Sequence, residues 1–311
     1  MNSLFSDRNL LYYAPRQRVS EKVVFPSNEP EMTEFESAFL CGLIREKKPR
    51  KILEIGIAAG GTTAIILECL SQLGMNESSE LYSVDCREAF YRGNGENSGY
   101  LAEEYKVVSN WHGKHKVFLG KYFPEVVDEI GNDIDFVVLD TVHRLPGEFM
   151  DFLAVFPYLK PQACVVVHDI CLNHIEIPTQ IATQLLMDTV VGDKCLIQDA
   201  DRKFGYPNIG AFDINKDTAK YIADVFNALI VTWDYLPEKC MYELYLKFYE
   251  KHYPSDLVKL AESAYELQSR IVRDKRPTMD DWGLSKSYRI GRMITFLPRK
   301  LKGLLVKRDS H

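Results

Sequence analysis

Two short apolar runs in this sequence end in residues able to move protons. Ile134-Asp135-Phe136-Val137-Val138-Leu139 stops at Asp140, with Thr141, Val142 and His143 next, and Ala163 to Val167 stops at His168-Asp169. An imidazole titrates near working pH, so His143, three residues after a strand-end acid, is a candidate general base with Asp140 beside it. The bland alternative is that His143 and His168 only hydrogen-bond neighbouring backbone. A third run, Lys51-Ile52-Leu53-Glu54-Ile55, opens into Gly56-Ile57-Ala58-Ala59-Gly60-Gly61, and a fourth, Leu81 to Val84, is closed by Asp85. In an open α/β sheet ligands lie beyond the carboxyl ends of the strands, so these are the positions to read for chemistry.

Glycine in the first of these loops lets a ligand approach the backbone. A dinucleotide fingerprint laid on Gly56 and Gly61 puts Ala58 where its middle glycine belongs, which impairs approach of a pyrophosphate. S-adenosylmethionine (SAM) has no phosphate, and its ammonium would welcome a carboxylate such as Glu54. The spacing Glu54-x-Gly56-x-x-x-Gly60-Gly61-Thr62 resembles motif I of class I SAM-dependent methyltransferases. That resemblance implies a cofactor site built from Glu54, Gly56, Ala58, Gly60 and Thr62, with Asp85 accepting hydrogen bonds from the ribose hydroxyls. The plain alternative is a tight strand-to-helix turn, with Asp85 as a helix cap.

Asp140-Thr141-Val142-His143, Asp151, Leu159-Lys160-Pro161 and Val167-His168-Asp169 follow a spacing similar to that of a bacterial branch of the same superfamily. This is the branch of macrolide-sugar O-methyltransferases and cephalosporin-hydroxylase-like proteins, and the similarity spans roughly residues 33 to 215. It departs at Val142, where the branch has a second acid, and at Gln162-Ala163, where it has paired glycines. The resemblance implies methyl transfer to an oxygen. It also implies a magnesium ion on Asp140 and Asp169, with His168 as a softer third ligand and the acid missing at Val142 leaving the set short.

Stepping along the chain, an amphipathic stretch from Met32 to Glu46 predicts a helix ahead of the first strand, and the glycine loop leads into a second helix over Thr62 to Leu73. Strands are expected at 116–119, 134–139, 163–167 and 208–214, and helices at 123–130, 148–159 and 175–191. Near-continuous apolar strands belong to sheets covered on both faces. The expected fold is therefore α/β: a Rossmann-like, doubly wound, mostly parallel sheet of the class I methyltransferase type with a C-terminal helical extension. The parts are a 1–32 N-terminal arm, a 33–215 SAM-binding domain, a 216–284 helical extension with helices at 218–232, 241–252 and 257–273, and a 285–311 basic amphipathic tail.

The net charge of −6 hides an asymmetry: residues 285–311 carry eight lysines and arginines against Asp309 alone, leaving 30 basic and 43 acidic side chains before them. An acidic body argues against nucleic acid as a partner. Ile290, Ile294, Leu297, Leu301, Leu304 and Leu305 recur at helical spacing in the tail, which suits a membrane surface, the acidic body or a second copy of the chain. Seven cysteines form no CxxC pair, and no apolar run is long enough to span a bilayer, so a reducing cytoplasm is the expected setting. The leading expectation is a SAM-dependent O-methyltransferase acting on a sugar hydroxyl of a surface glycan or its activated precursor. An NAD-dependent oxidoreductase, disfavoured by Ala58, and a non-catalytic assembly protein of the same fold are the alternatives.

Overall fold

The computed structural model describes residues 10–25, 32–92, 95–175, 179–199 and 205–273. Two compact units divide the chain, Met1–Tyr265 and Glu266–His311, and the first holds the whole sheet. The basic tail lies outside the described residues. Among the described residues no helix is long and apolar enough to cross a membrane.

Helix α1 (Ala14–Ser20) precedes α2 (Glu34–Lys47), which begins in a reciprocal cap. The Thr33 hydroxyl accepts from Glu36 N at 3.2 Å, and Glu36 Oε2 accepts from Thr33 N at 2.7 Å, satisfying two of the donors a helix start leaves open. The chain then alternates: β1 (Lys51–Ile55), α3 (Gly61–Gln72), β2 (Glu80–Asp85), α4 (Tyr100–Ser109), β3 (Lys114–Leu119), α5 (Phe123–Ile130), β4 (Ile134–Leu139), α6 (Gly147–Val155), β5 (Leu159–His168). After a four-residue helix α7 (Leu172–Ile175) and α8 (Ala182–Thr189), it closes the sheet with β6 (Asp193–Leu196) and β7 (Ile209–Asp213).

Strand order is β3-β2-β1-β4-β5-β7-β6. The first five strands are mutually parallel, whereas β7 runs antiparallel to both β5 and β6. Ile55 stands beside Val84 and Leu139, and Leu139 beside Val167, so β1, β2, β4 and β5 all end at one edge. Because side chains alternate across a strand, Leu53, Ile55, Val137, Leu139, Val165 and Val167 enter one core, and Ile52, Phe136, Val138 and Val166 enter the other, under α2 and α3.

The helical region does not form a layer apart from the sheet. The expected helix over 218–232 is broken into α9 (Lys216–Lys220) and α10 (Ile222–Ala228), followed by α11 (Lys239–His252) and α12 (Ser255–Arg273). Trp233, Tyr242, Tyr245 and Tyr249 are buried in the same cluster as Leu53 and Val137, each contributing about 1.5–3 kcal/mol of apolar burial. Their polar tips are satisfied: Tyr249 Oη donates to Met150 O at 2.8 Å, and Tyr245 Oη to Asp151 Oδ1 at 2.6 Å. Residues 216–265 thus lie in the same compact unit as the sheet and send these side chains into its core. Four elements were not expected, α1, α4, α7 and β6, and the helix expected over 175–191 is helical at Ile175 and Ala182–Thr189 among its described residues.

Candidate active site

The glycine turn after β1 is shaped by contacts within the protein. Gly56 has φ 92°, and a methyl group there would lie 1.8 Å from the carbonyl oxygen of Asp140, so only glycine lets the ends of β1 and β4 meet so closely. Gly60 also has φ 92° and would meet Gly99 Cα at 2.8 Å. Ala58 takes a left-handed backbone, φ 48°, which an alanine adopts at a cost of about 1–2 kcal/mol. Asp85 braces the turn: its Oδ2 accepts from Ile57 N at 3.0 Å and Ala58 N at 3.2 Å, and Oδ1 accepts from Arg87 N at 2.8 Å.

Two cofactor expectations change here. Glu54, read as a partner for an ammonium, shares the face of Ile52 and is fully buried. Its Oε2 accepts from the Thr63 hydroxyl at 2.8 Å and the Ser83 hydroxyl at 2.7 Å, so it fastens α3 and β2 to β1. Asp85 remains part-exposed at the sheet edge, but its first duty is to the backbone of the turn. Gly56 and Ala58 are part-exposed, and Thr62 is buried in the first turn of α3, whose N-terminus receives no side-chain cap. A cavity of about 570 Å³ lies between the start of α4, from Ser98 to Glu103, and Val117 and Leu119 of β3.

Across the edge, the residues after β4 and β5 converge. Asp140, His143 and Asp169 each offer a ligand atom within 4.8 Å of the others. His143 Nε2 is 3.3 Å from Asp169 Oδ2 and 3.7 Å from Asp140 Oδ1, while its Nδ1 is 3.5 Å from Glu148 Oε1. Glu148, in the first turn of α6, also accepts from the His143 backbone N–H and from the Thr141 hydroxyl at 3.1 Å. Burial drives the Glu148 carboxyl upward in pKa, against the pull of His143. Both His143 and Asp169 sit in the left-handed region, φ 55° and 57°, strain that clusters at working sites.

His168 stands behind this trio rather than in it. It is buried, with Nδ1 3.2 Å from Asp140 Oδ1 and 3.7 Å from Asp169 Oδ2, and Nε2 3.4 Å from Glu36 Oε2. Burial opposes charge on this ring, yet the surrounding carboxylates outweigh it and hold the imidazolium well above its usual pKa. Burial likewise pushes Asp140 up, but His168 and His143 win and keep it below its ordinary value. The gathered donor atoms are those of Asp140, His143 and Asp169, and the expected ligand His168 lies behind them, between Asp140 and Glu36.

Residues missed from the sequence complete the picture. Glu36 and Glu148 carried no signal beyond helix-start positions. Asn208, just before β7, donates from Nδ2 to Glu36 Oε1 at 3.0 Å and to Asp169 Oδ1 at 2.7 Å. A glycine turn at the end of β1 in direct contact with a strand-end acid, beside a second acid and a histidine, is an arrangement for small-molecule chemistry at a switch point of the sheet.

Residues 53–170 match a methyltransferase domain. The match runs from β1 to just past β5, so it contains the glycine turn, Asp85, Asp140, His143 and Asp169 and leaves out Glu36 and Asn208. No curated protein matches the chain. Among solved structures, an O-methyltransferase from Bacillus cereus in complex with SAH is 16% identical, with a TM-score of 0.42, over 67% of this chain and 92% of that one. TomG, an O-methyltransferase of tomaymycin synthesis from Streptomyces achromogenes in complex with SAM, is 17% identical, with a TM-score of 0.43, over 68% of this chain and 91% of that one.

Proposed function

We propose that the protein is a SAM-dependent O-methyltransferase whose acceptor is a sugar hydroxyl, on a surface glycan or its activated precursor. The observation that carries this reading is the packing of Gly56 against Asp140, which sets the cofactor turn directly against the Asp140–His143–Asp169 trio. The methyltransferase-domain match supports transfer of a methyl group. The sugar acceptor is supported by the resemblance of the strand-end spacing to macrolide-sugar enzymes.

The residues present fit both expected groups. The uncapped start of α3 offers backbone N–H groups to a carboxylate, and part-exposed Asp85 has lone pairs left for hydroxyls. Asp140 and Asp169 are hard oxygen donors suited to Mg²⁺, with His143 at their side. When bound, SAM supplies a methyl group on a sulfonium, and a divalent ion would lower the pKa of an oxygen placed against it. The chain's own part is to align and deprotonate. With no metal bound, His143 Nε2 takes the proton of the acceptor hydroxyl as the new C–O bond forms and the C–S bond breaks, while Glu148 holds the His143 backbone N–H. In this reading the tail, residues 285–311, supplies contact with a membrane surface or a second copy.

Incubation with methyl-labelled SAM and nucleotide-linked sugars, with and without Mg²⁺, tests the proposal, alongside calorimetric titration of SAM and NAD. Label in a sugar hydroxyl and heat from SAM alone are expected. Absence of both would overturn the reading.

A further inference from the structure

We propose that Asn208 is a positioning residue that aims Asp169 at the reacting space, a role resting on the reading of Asp140, His143 and Asp169 as the working cluster. Asp169 holds a left-handed backbone, φ 57°. Besides the Leu172 N–H, which donates to its carbonyl at 3.3 Å, three contacts hold it there. Its carbonyl accepts from the buried Thr183 hydroxyl at 2.7 Å, its Oδ1 accepts from Asn208 Nδ2 at 2.7 Å, and the N–H of the next residue, Ile170, donates to Asn208 O at 3.0 Å. Asn208 therefore brackets Asp169 from both main chain and side chain.

The amide of Asn208 is fully used. Its two N–H donors go to Asp169 Oδ1 and to Glu36 Oε1, and its Oδ1 accepts from Cys171 N at 3.2 Å and Cys171 Sγ at 3.1 Å. At 4% exposure, water cannot stand in for any of these partners. With Oδ1 of Asp169 occupied, Oδ2 is the oxygen turned to His143, at 3.3 Å. The second donor bond fixes Glu36, whose other oxygen faces His168. One neutral amide thus bridges two acids, Asp169 and the Glu36 that the cap at Thr33 also holds, and it reaches the site from outside the matched segment 53–170.

The two halves of the amide make the test discriminating. Asn208→Asp keeps the oxygen that receives Cys171 but removes the donors to Asp169 and Glu36, whereas Asn208→Ala removes both. If Asn208 only completes the turn at Cys171, the aspartate variant should behave as wild type. If it aims Asp169, both variants should lose roughly 10–100-fold in kcat, the usual scale for a supporting partner, with KM for SAM within about twofold. Thermal melting of each variant separates this from unfolding. Crystal structures of wild type and Asn208→Asp give a readout free of turnover: Asp169 Oδ2 should leave His143 Nε2. An aspartate variant with wild-type kcat, or with Asp169 unmoved, overturns the proposal. If wild type transfers no methyl group, the proposed function fails while the crystal structures still decide what Asn208 does.

Discussion

Strand-end acids occur on both halves of the carboxyl edge, but they are used differently. Over β1 and β2, Glu54 and Asp85 are engaged by donors of their own chain, two hydroxyls for the first and three backbone N–H groups for the second. Over β4 and β5, Asp140 and Asp169 face His143, His168 and each other. A carboxylate satisfied by backbone holds a shape, while carboxylates crowded together with imidazoles hold unspent electrostatic energy that a proton or cation can relieve. In the proposed function the first half is the cradle and the second the reactive part.

The strongest way to break this contrast is Asp140→Asn. We expect turnover to fall roughly 10²–10⁴-fold, the range for loss of acid–base assistance, with SAM affinity by calorimetry unchanged. A comparable loss of SAM binding would erase the distinction between the halves. Next comes Gly56→Ala, which forces a methyl group into the Asp140 carbonyl and a side chain into φ 92°. It should cost roughly 3 kcal/mol in urea unfolding, from overpacking and backbone strain together; an unperturbed midpoint would show that the turn and the trio are not tied.

The smallest effect concerns Asp151, under the reactive half. Burial lifts its pKa to about 7, partly offset by the Tyr245 hydroxyl. The folded chain therefore holds a proton the unfolded chain releases near pH 4, so this group's contribution to stability falls as pH rises from about 4 to 7. Asp151→Asn keeps an oxygen for Tyr245 and removes that dependence. The variant should gain about 4 kcal/mol on wild type between pH 4 and pH 8 in paired urea melts. An equal difference at both pH values would count against a protonated Asp151.

Much of this was legible from the residues. β1, α5 and β4 lie where their apolar runs placed them, because a buried parallel strand announces itself by composition. Asp140 and Asp169 follow directly on such strands, and the structure brings both beside His143. Glu54 misled: proximity to the glycines suggested a ligand, but the two-residue alternation puts it on the face of Ile52, beneath α3. His168 misled because sequence cannot show that Glu36, far back in α2, waits on its other side. α4 escaped notice since Val107 and Val108 are exposed and blur its pattern, and β6 is a half-buried edge strand of four residues.

The reversed direction of β7 has a further consequence. A parallel strand in that slot would offer its last residues to the ligand edge, followed by a loop free to drift. The antiparallel strand offers its beginning, locked by the pairing of Ile209 with His168. A slip of one residue would swing Asn208 to the opposite side of the sheet and strip Asp169 of its partner, so the polar bracket doubles as a proofreading mark for correct assembly of the sheet.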